Sequence, residues 1–265
     1  MEMKKILKYT LAALLIVPVL SMADDFWVGV FAKDTGYTDQ SYTTSKTLSR
    51  LQTKIENEWN KGYTLIDINY GHDVWMAVYA KGTGYSRQAL LHRRDLKKFR
   101  EAVATYRKKG FELINVEYGA GEWIGVFAEG GKWKDVQFVY KRYRDDFEKS
   151  IIEHWRDGYM LVDAEAAEGY WTGIFARNTG FKSQAYTIIH DWEDVSDEIK
   201  AKWRDGYRIV NIEFAMSEWF IIFAELPKPR EEAFANNEDI EDFRETIRKY
   251  WKKGYYLIDV ADGRD

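Results

Sequence analysis

The residues best able to do chemistry recur at one interval. Asp67, Asn115, Asp163, Asn211 and Asp259 stand 48 residues apart, and two residues beyond them come Asn69, Glu117, Glu165, Glu213 and Ala261. On a β-strand, positions two apart share a face. If the strands carrying them lie innermost, three aspartates and two asparagines form a polar ring around an axis, with a partial glutamate ring beside it. Oxygen-only donors of this kind suit Ca²⁺ or Mg²⁺, and a concave axis is a natural ligand site. A second reading gives each Asp or Asn one structural job done five times, accepting a hydrogen bond from a neighbouring hairpin backbone or a tryptophan N–H. Catalysis is the third. A glycosidase needs one carboxylate pair differentiated by its surroundings, and pseudo-symmetric positions argue against that.

A second set could recognise rather than react. Tyr37, Tyr85, Trp133 and Phe181 occupy one turn register, where exposed rings could stack on sugar or peptide, or simply pack on the adjacent hairpin. His72, His92, His154 and His190 fall in four different registers and make no metal or nucleophile pattern. With no cysteine in the chain there is no thiolate nucleophile, zinc thiolate or disulfide framework. Serine-nucleophile, phosphate-loop and zinc motifs are also missing.

The elements that must position these residues are written five times. Gly62, Gly110, Gly158, Gly206 and Gly254 keep the 48-residue step, as do Trp27, Trp75, Trp123, Trp171 and Trp219, which marks a repeat protein. Each unit opens with an apolar strand, such as residues 26–32, in which Trp27 and Phe31 share a face with Gly29 between them. A small residue there lets another backbone or a large ring approach closely. A glycine-bearing turn and a second strand follow, and the pair reads as a hairpin. The turn becomes Gly130-Gly131-Lys132-Trp133 in unit three, and loses its glycines at residues 226–230 in unit five. Next comes an amphipathic helix, with Leu48, Leu51, Ile55 and Trp59 on one stripe of the first copy. Thr47, Asp95, Asp191 and Asp239 stand at its N-cap and the repeated glycine at its C-terminal stop. The second copy has Arg107 in the tryptophan register. A third strand, residues 63–70 in the first copy, completes a ββαβ order.

The last unit ends on a third strand and the first begins on an opening strand, elements that are neighbours everywhere else. Pairing residues 255–261 with 26–32 would leave no apolar strand edge open. No polar capping unit is visible, as an open array would need. The expected fold is α+β, five ββαβ units closed into a pseudo-fivefold, propeller-like toroid over residues 24–265. The units run about 26–73, 74–121, 122–169, 170–217 and 218–265. In topology alone this resembles the pentein α/β propeller. At residue level, Gly36-Tyr37-x-x-Gln40-x-Tyr42, Gly84-Tyr85-x-x-Gln88 and the Trp-x-x-Gly-Tyr stops resemble a tandem-repeat family found in bacterial proteins and in C-terminal parts of plant casein-kinase-like proteins. The match runs from about residue 26 to 265 and is sharpest in units one, two and four. Units three and five carry Val136 and Glu232 in place of the glutamine. The resemblance implies a fold and no activity.

Residues 1–23 read as a secretory signal: Lys4, Lys5 and Lys8, then an apolar run from Tyr9 to Leu20, then small residues at Ser21 and Ala23. The run of about 12 residues is short of the roughly 20 that span a bilayer. Cleavage would leave 36 basic and 42 acidic residues, a net charge of −6, and no basic face for nucleic acid. Export without cysteine fits a periplasmic or secreted bacterial protein. The expectation is an exported, monomeric, non-enzymatic binding protein that uses its rim or axis for a protein, peptide or glycan. It needs no cofactor, with Ca²⁺ as the one candidate ion. The alternatives are a hydrolase using the axial carboxylates and a structural envelope component.

Overall fold

The computed structural model describes residues 25–264, so the signal sequence expected at residues 1–23 lies outside the described residues. The first repeat comprises β1 (Asp25–Ala32), β2 (Asp39–Ser45), α1 (Leu48–Asn60) and β3 (Thr64–Gly71). The second comprises β4 (Val74–Lys81), β5 (Arg87–Arg93), α2 (Leu96–Lys108) and β6 (Glu112–Gly119). The third has β7 (Glu122–Glu129), β8 (Lys134–Lys141), α3 (Arg144–Arg156) and β9 (Met160–Ala167). The fourth has β10 (Tyr170–Arg177), β11 (Ser183–Ile189), α4 (Trp192–Arg204) and β12 (Tyr207–Ala215). The fifth has β13 (Glu218–Glu225), β14 (Glu232–Asn237), α5 (Ile240–Trp251) and β15 (Tyr256–Arg264).

These strands make five three-stranded antiparallel sheets, ordered β2-β4-β3, β5-β7-β6, β8-β10-β9, β11-β13-β12 and β14-β1-β15. The hairpin expected between the first and second strands of a unit does not form, because the two lie in different sheets. Both edges of each opening strand are taken by the second and third strands of the preceding repeat, so residues 33–38 carry the chain across to the next sheet. The fifth sheet draws on both ends of the described chain, with Phe31 opposite Leu257 and Val30 opposite both Asp259 and Phe234. The third strands touch in series, β3 on β6, β6 on β9, β9 on β12 and β12 on β15, and β15 also lies against β3.

Each helix packs on the opening strand of the following repeat. Phe99 of α2 lies over Gly125, Phe147 of α3 over Gly173 and Phe243 of α5 over Gly29, so close that a Cβ on any of these glycines would sit 2.9 Å from the ring. The small residue read from the sequence therefore makes room for a helix phenylalanine. Where the strand carries Ala77 the facing helix register holds Leu51, and where it carries Ile221 that register holds Val195, each pair within one core cluster. The Phe and Gly pairs and the Leu51 and Ala77 pair thus trade large for small at nearly matched volume, as close packing favours, while Val195 with Ile221 fills a roomier junction.

Helix ends follow local chemistry. The side chains of Thr47, Asp95 and Asp239 accept first-turn amides, while Asp191 holds the N-cap position without a side-chain bond. Gly62, with φ 82°, closes α1 in the left-handed region that a Cβ disfavours. The stripe tryptophans Trp59, Trp155, Trp203 and Trp251 are half-buried rather than fully enclosed. Among the described residues, no helix is long and apolar enough to cross a membrane.

Candidate functional site

The third strands bring the predicted polar residues together through a feature that strict alternation would miss. In all five sheets the pairing slips by one residue, as between Leu65 and Asp67 or between Leu113 and Asn115. Such a bulge reverses the side-chain parity of the strand. Leu65 and Ile68 therefore both pack in one core cluster, whereas Ile66 and Asp67 both face the same cavity.

The five ring positions are buried, from Asp67 at 4% exposure to Asn115 at 6%. The Asn115 amide donates to Asp67 Oδ1 at 3.2 Å and Asp163 Oδ1 at 3.4 Å, and the Asn211 amide to Asp163 Oδ1 at 3.3 Å and Asp259 Oδ1 at 3.4 Å. Each carboxylate also accepts a backbone amide from a neighbouring third strand: Val260 N–H for Asp67, Val116 N–H for Asp163 and Ile212 N–H for Asp259, at 2.6–2.8 Å. The donors are thus adjacent third strands and the ring's own amides, not hairpins or tryptophans. Acid and amide alternate from Asp67 to Asp259 along the series of third strands. Asp259 meets Asp67 with no asparagine between them, and the Oδ1 atoms of Asn115 and Asn211 are buried without a partner.

Two residues along, one oxygen each from Glu117, Glu165 and Glu213 lies within 4.8 Å of the others. A backbone amide holds each carboxylate: Tyr70 N–H for Glu117 and Tyr118 N–H for Glu165, both at 3.0 Å, and Phe214 N–H for Glu213 at 3.1 Å. Desolvation pushes the carboxyls of Asp67 and Glu165 up to about 7, against partial relief from backbone amides. Desolvation, reinforced by neighbouring carboxylates, holds Asp163, Glu117, Glu213 and Asp259 well above the usual carboxylate range.

Tyr37, Tyr85, Trp133 and Phe181 reach the same place. All four line one cavity of about 570 Å³ together with Asp67, Asn115, Asp163 and Asp259. An aliphatic layer of Ile66, Ile114, Val162, Val210 and Ile258 lines it as well. Thr35, Thr83 and Thr179 accept the backbone amides of Tyr37, Tyr85 and Phe181 through their side-chain hydroxyls and fix these aromatic turns. Glu117, Glu165 and Glu213 line a separate cavity of about 370 Å³ beside Tyr70, Tyr118 and Asp262.

The repeated glutamine lies outside both cavities. Gln184 Oε1 accepts from Trp155 Nε1–H and Leu161 N–H, both at 2.8 Å, while its amide donates to Leu161 O at 2.6 Å. Gln88 clips Trp59 and Leu65 in the same way, and Gln40 clips Trp251 and Leu257. Glu232 keeps the two accepting bonds, to Trp203 and Ile209, and Arg230 supplies the missing donor to Ile209 O at 3.1 Å. Where Arg107 replaces the tryptophan, Val136 replaces the glutamine. Both halves of the clip are lost together, a signal present in the sequence. None of the four histidines joins a metal cluster among the described residues.

Fold and site together define a tandem-repeat protein whose third strands gather a buried acidic cluster. The chain belongs to the family described as a domain of unknown function, DUF7477, whose model matches residues 19–265. No curated protein matches the chain.

Proposed function

We propose that the five sheets close into a pseudo-fivefold toroid, and that the protein is an exported, non-enzymatic binding module taking a glycan into the cavity framed by its turn aromatics. One observation carries this reading: Tyr37, Tyr85, Trp133 and Phe181 share a cavity of about 570 Å³ with the Asp and Asn ring. A sugar has apolar faces that stack on aromatic rings and hydroxyl edges that donate to carboxylates, and this cavity offers both in a volume typical of ligand sites. The contact of β15 with both β12 and β3 supports the ring. Export rests on the pattern of residues 1–23.

Titration of soluble mono- and oligosaccharides, followed by tryptophan fluorescence and calorimetry, tests the proposal. Trp133→Ala and Tyr85→Ala should each weaken binding about tenfold or more, since a stacked ring contributes on the order of 1–3 kcal/mol. Both rings also pack against buried core residues, so each variant should melt below wild type, and binding is compared at a temperature where circular dichroism shows both folded. Binding unchanged in the double variant, or no glycan bound at millimolar concentration, would refute it.

One observation favours the hydrolase reading. Asp67 and Asp259 are the ring neighbours without an amide between them, so a shared proton would differentiate them as acid and base. Release of reducing sugar by the wild type, lost in Asp259→Asn with binding retained, would establish that reading over simple binding.

A further inference from the structure

We infer that Glu117, Glu165 and Glu213 form a binding site for one Ca²⁺ ion, separate from the aromatic-lined cavity. The three carboxylates are 4–8% exposed and bring their oxygens within 4.8 Å of one another, a span that Ca–O distances of about 2.4 Å can bridge. A second, independent observation points to a missing ligand. Asn69 occupies the same register in the first repeat and is 3% exposed, yet its Oδ1 has no hydrogen-bond partner. A buried carbonyl oxygen left unpaired costs stability, and amide oxygens are ordinary calcium ligands beside carboxylates.

The site is built rather than incidental. Backbone amides of Tyr70, Tyr118 and Phe214 hold the three carboxylates in place. The cavity of about 370 Å³ that they line gives an ion a way in. Arg264 lines the same cavity, but no arginine or lysine forms an ion pair with any of the three among the described residues. The all-oxygen donor set selects a hard cation, and the span accommodates Ca²⁺ better than Mg²⁺, whose bonds are near 2.1 Å.

The test is thermal unfolding of the full-length mature protein at pH 7.5 after EDTA treatment and dialysis, with CaCl₂ or MgCl₂ added, alongside elemental analysis of untreated protein. A ligand that binds only the folded state must raise the melting temperature in a saturable way. Wild type should gain several degrees with calcium at 1 mM and less with magnesium. Glu165→Gln and Glu213→Gln should each lose the calcium response. Both should melt in EDTA no lower than wild type, because a near-isosteric amide relieves repulsion, and this separates lost binding from lost folding. Trp133→Ala should respond to calcium like wild type, so failure of the glycan proposal would leave this one standing. No calcium shift in wild type with no metal retained on purification, or a full shift in both Gln variants, would overturn the inference.

Discussion

Replacing Gly125 with alanine tests whether the helix and strand registers are matched in volume. The added Cβ would lie 2.9 Å from both Phe99 Cζ and Phe127 Cε2 and 3.0 Å from Leu113 Cδ1, closer than side chains in a core normally approach. Overpacking of this size costs about 1–3 kcal/mol. Reduced freedom of the unfolded chain returns roughly 0.5–1 kcal/mol of that. Phe99→Leu alone leaves part of a fully buried ring site empty, at about 1–2 kcal/mol. The junction of the first and second repeats already contains the combination, with Leu51, Leu65 and Ala77 in one cluster beside Tyr79, the counterpart of Phe127. The double variant Phe99→Leu, Gly125→Ala imports that solution. It should melt within about 3 °C of wild type, whereas Gly125→Ala alone should fall by about 3–6 °C, given 2–4 °C per kcal/mol at this size. Urea unfolding of the four proteins in the cycle gives the coupling energy, expected to exceed about 1 kcal/mol in favour of the double variant. Additive losses, with coupling under about 0.5 kcal/mol, would refute the matched-volume account.

Three further outcomes follow from the polar elements. Asp67→Asn, measured in EDTA, should stabilise by about 1 kcal/mol at pH 8. It removes a buried acid whose pKa is pushed up to about 7 by desolvation, while the new amide opposes the Asn115 amide and takes part of the gain back. Because raised acids bind protons more tightly in the folded state, wild type in EDTA should lose stability as pH rises from 5 to 8, and the Asp67→Asn gain should vanish near pH 5; melting curves across that range decide. Gln184→Ala should cost about 2–4 kcal/mol in urea unfolding, since it strands Trp155 Nε1–H and both backbone groups of Leu161. Gln184→Glu should cost less, and adding Lys182→Arg, which reproduces the Arg230 and Glu232 pair, should recover most of the loss.

Much of this was legible in the chain, and the reasons differ by element. The 48-residue period, the helices and their caps show because capping and amphipathic spacing are local. The strand partners did not show: nothing in residues 26–45 distinguishes a β1-β2 hairpin from two strands in neighbouring sheets, since an apolar strand does not name the edge that will cover it. The polar cluster was readable as a register, but the bulge at Ile66 was not, because the extra residue is apolar like its neighbours. The Trp155 and Gln184 clip was visible as paired gain and loss across units, most clearly where Arg107 accompanies Val136. The placement of Trp133 and Tyr85 in one cavity with Asp67, Asn115, Asp163 and Asp259 depends on how neighbouring sheets pack, which no local pattern encodes.

The sheet that joins the two chain ends has a consequence for biosynthesis. Among the described strands β1 is made first, yet its two partners, β14 and β15, are made last. During synthesis it must wait, with Trp27 and Phe31 uncovered, while four other sheets assemble from continuous stretches such as residues 39–81. A nascent chain therefore carries an uncovered apolar strand until residues 232–264 arrive, and a chaperone has something to hold. A rearranged gene that began at Asp39 and placed residues 25–38 after the present C-terminus would remove the wait, because every sheet would then be laid down in a single pass.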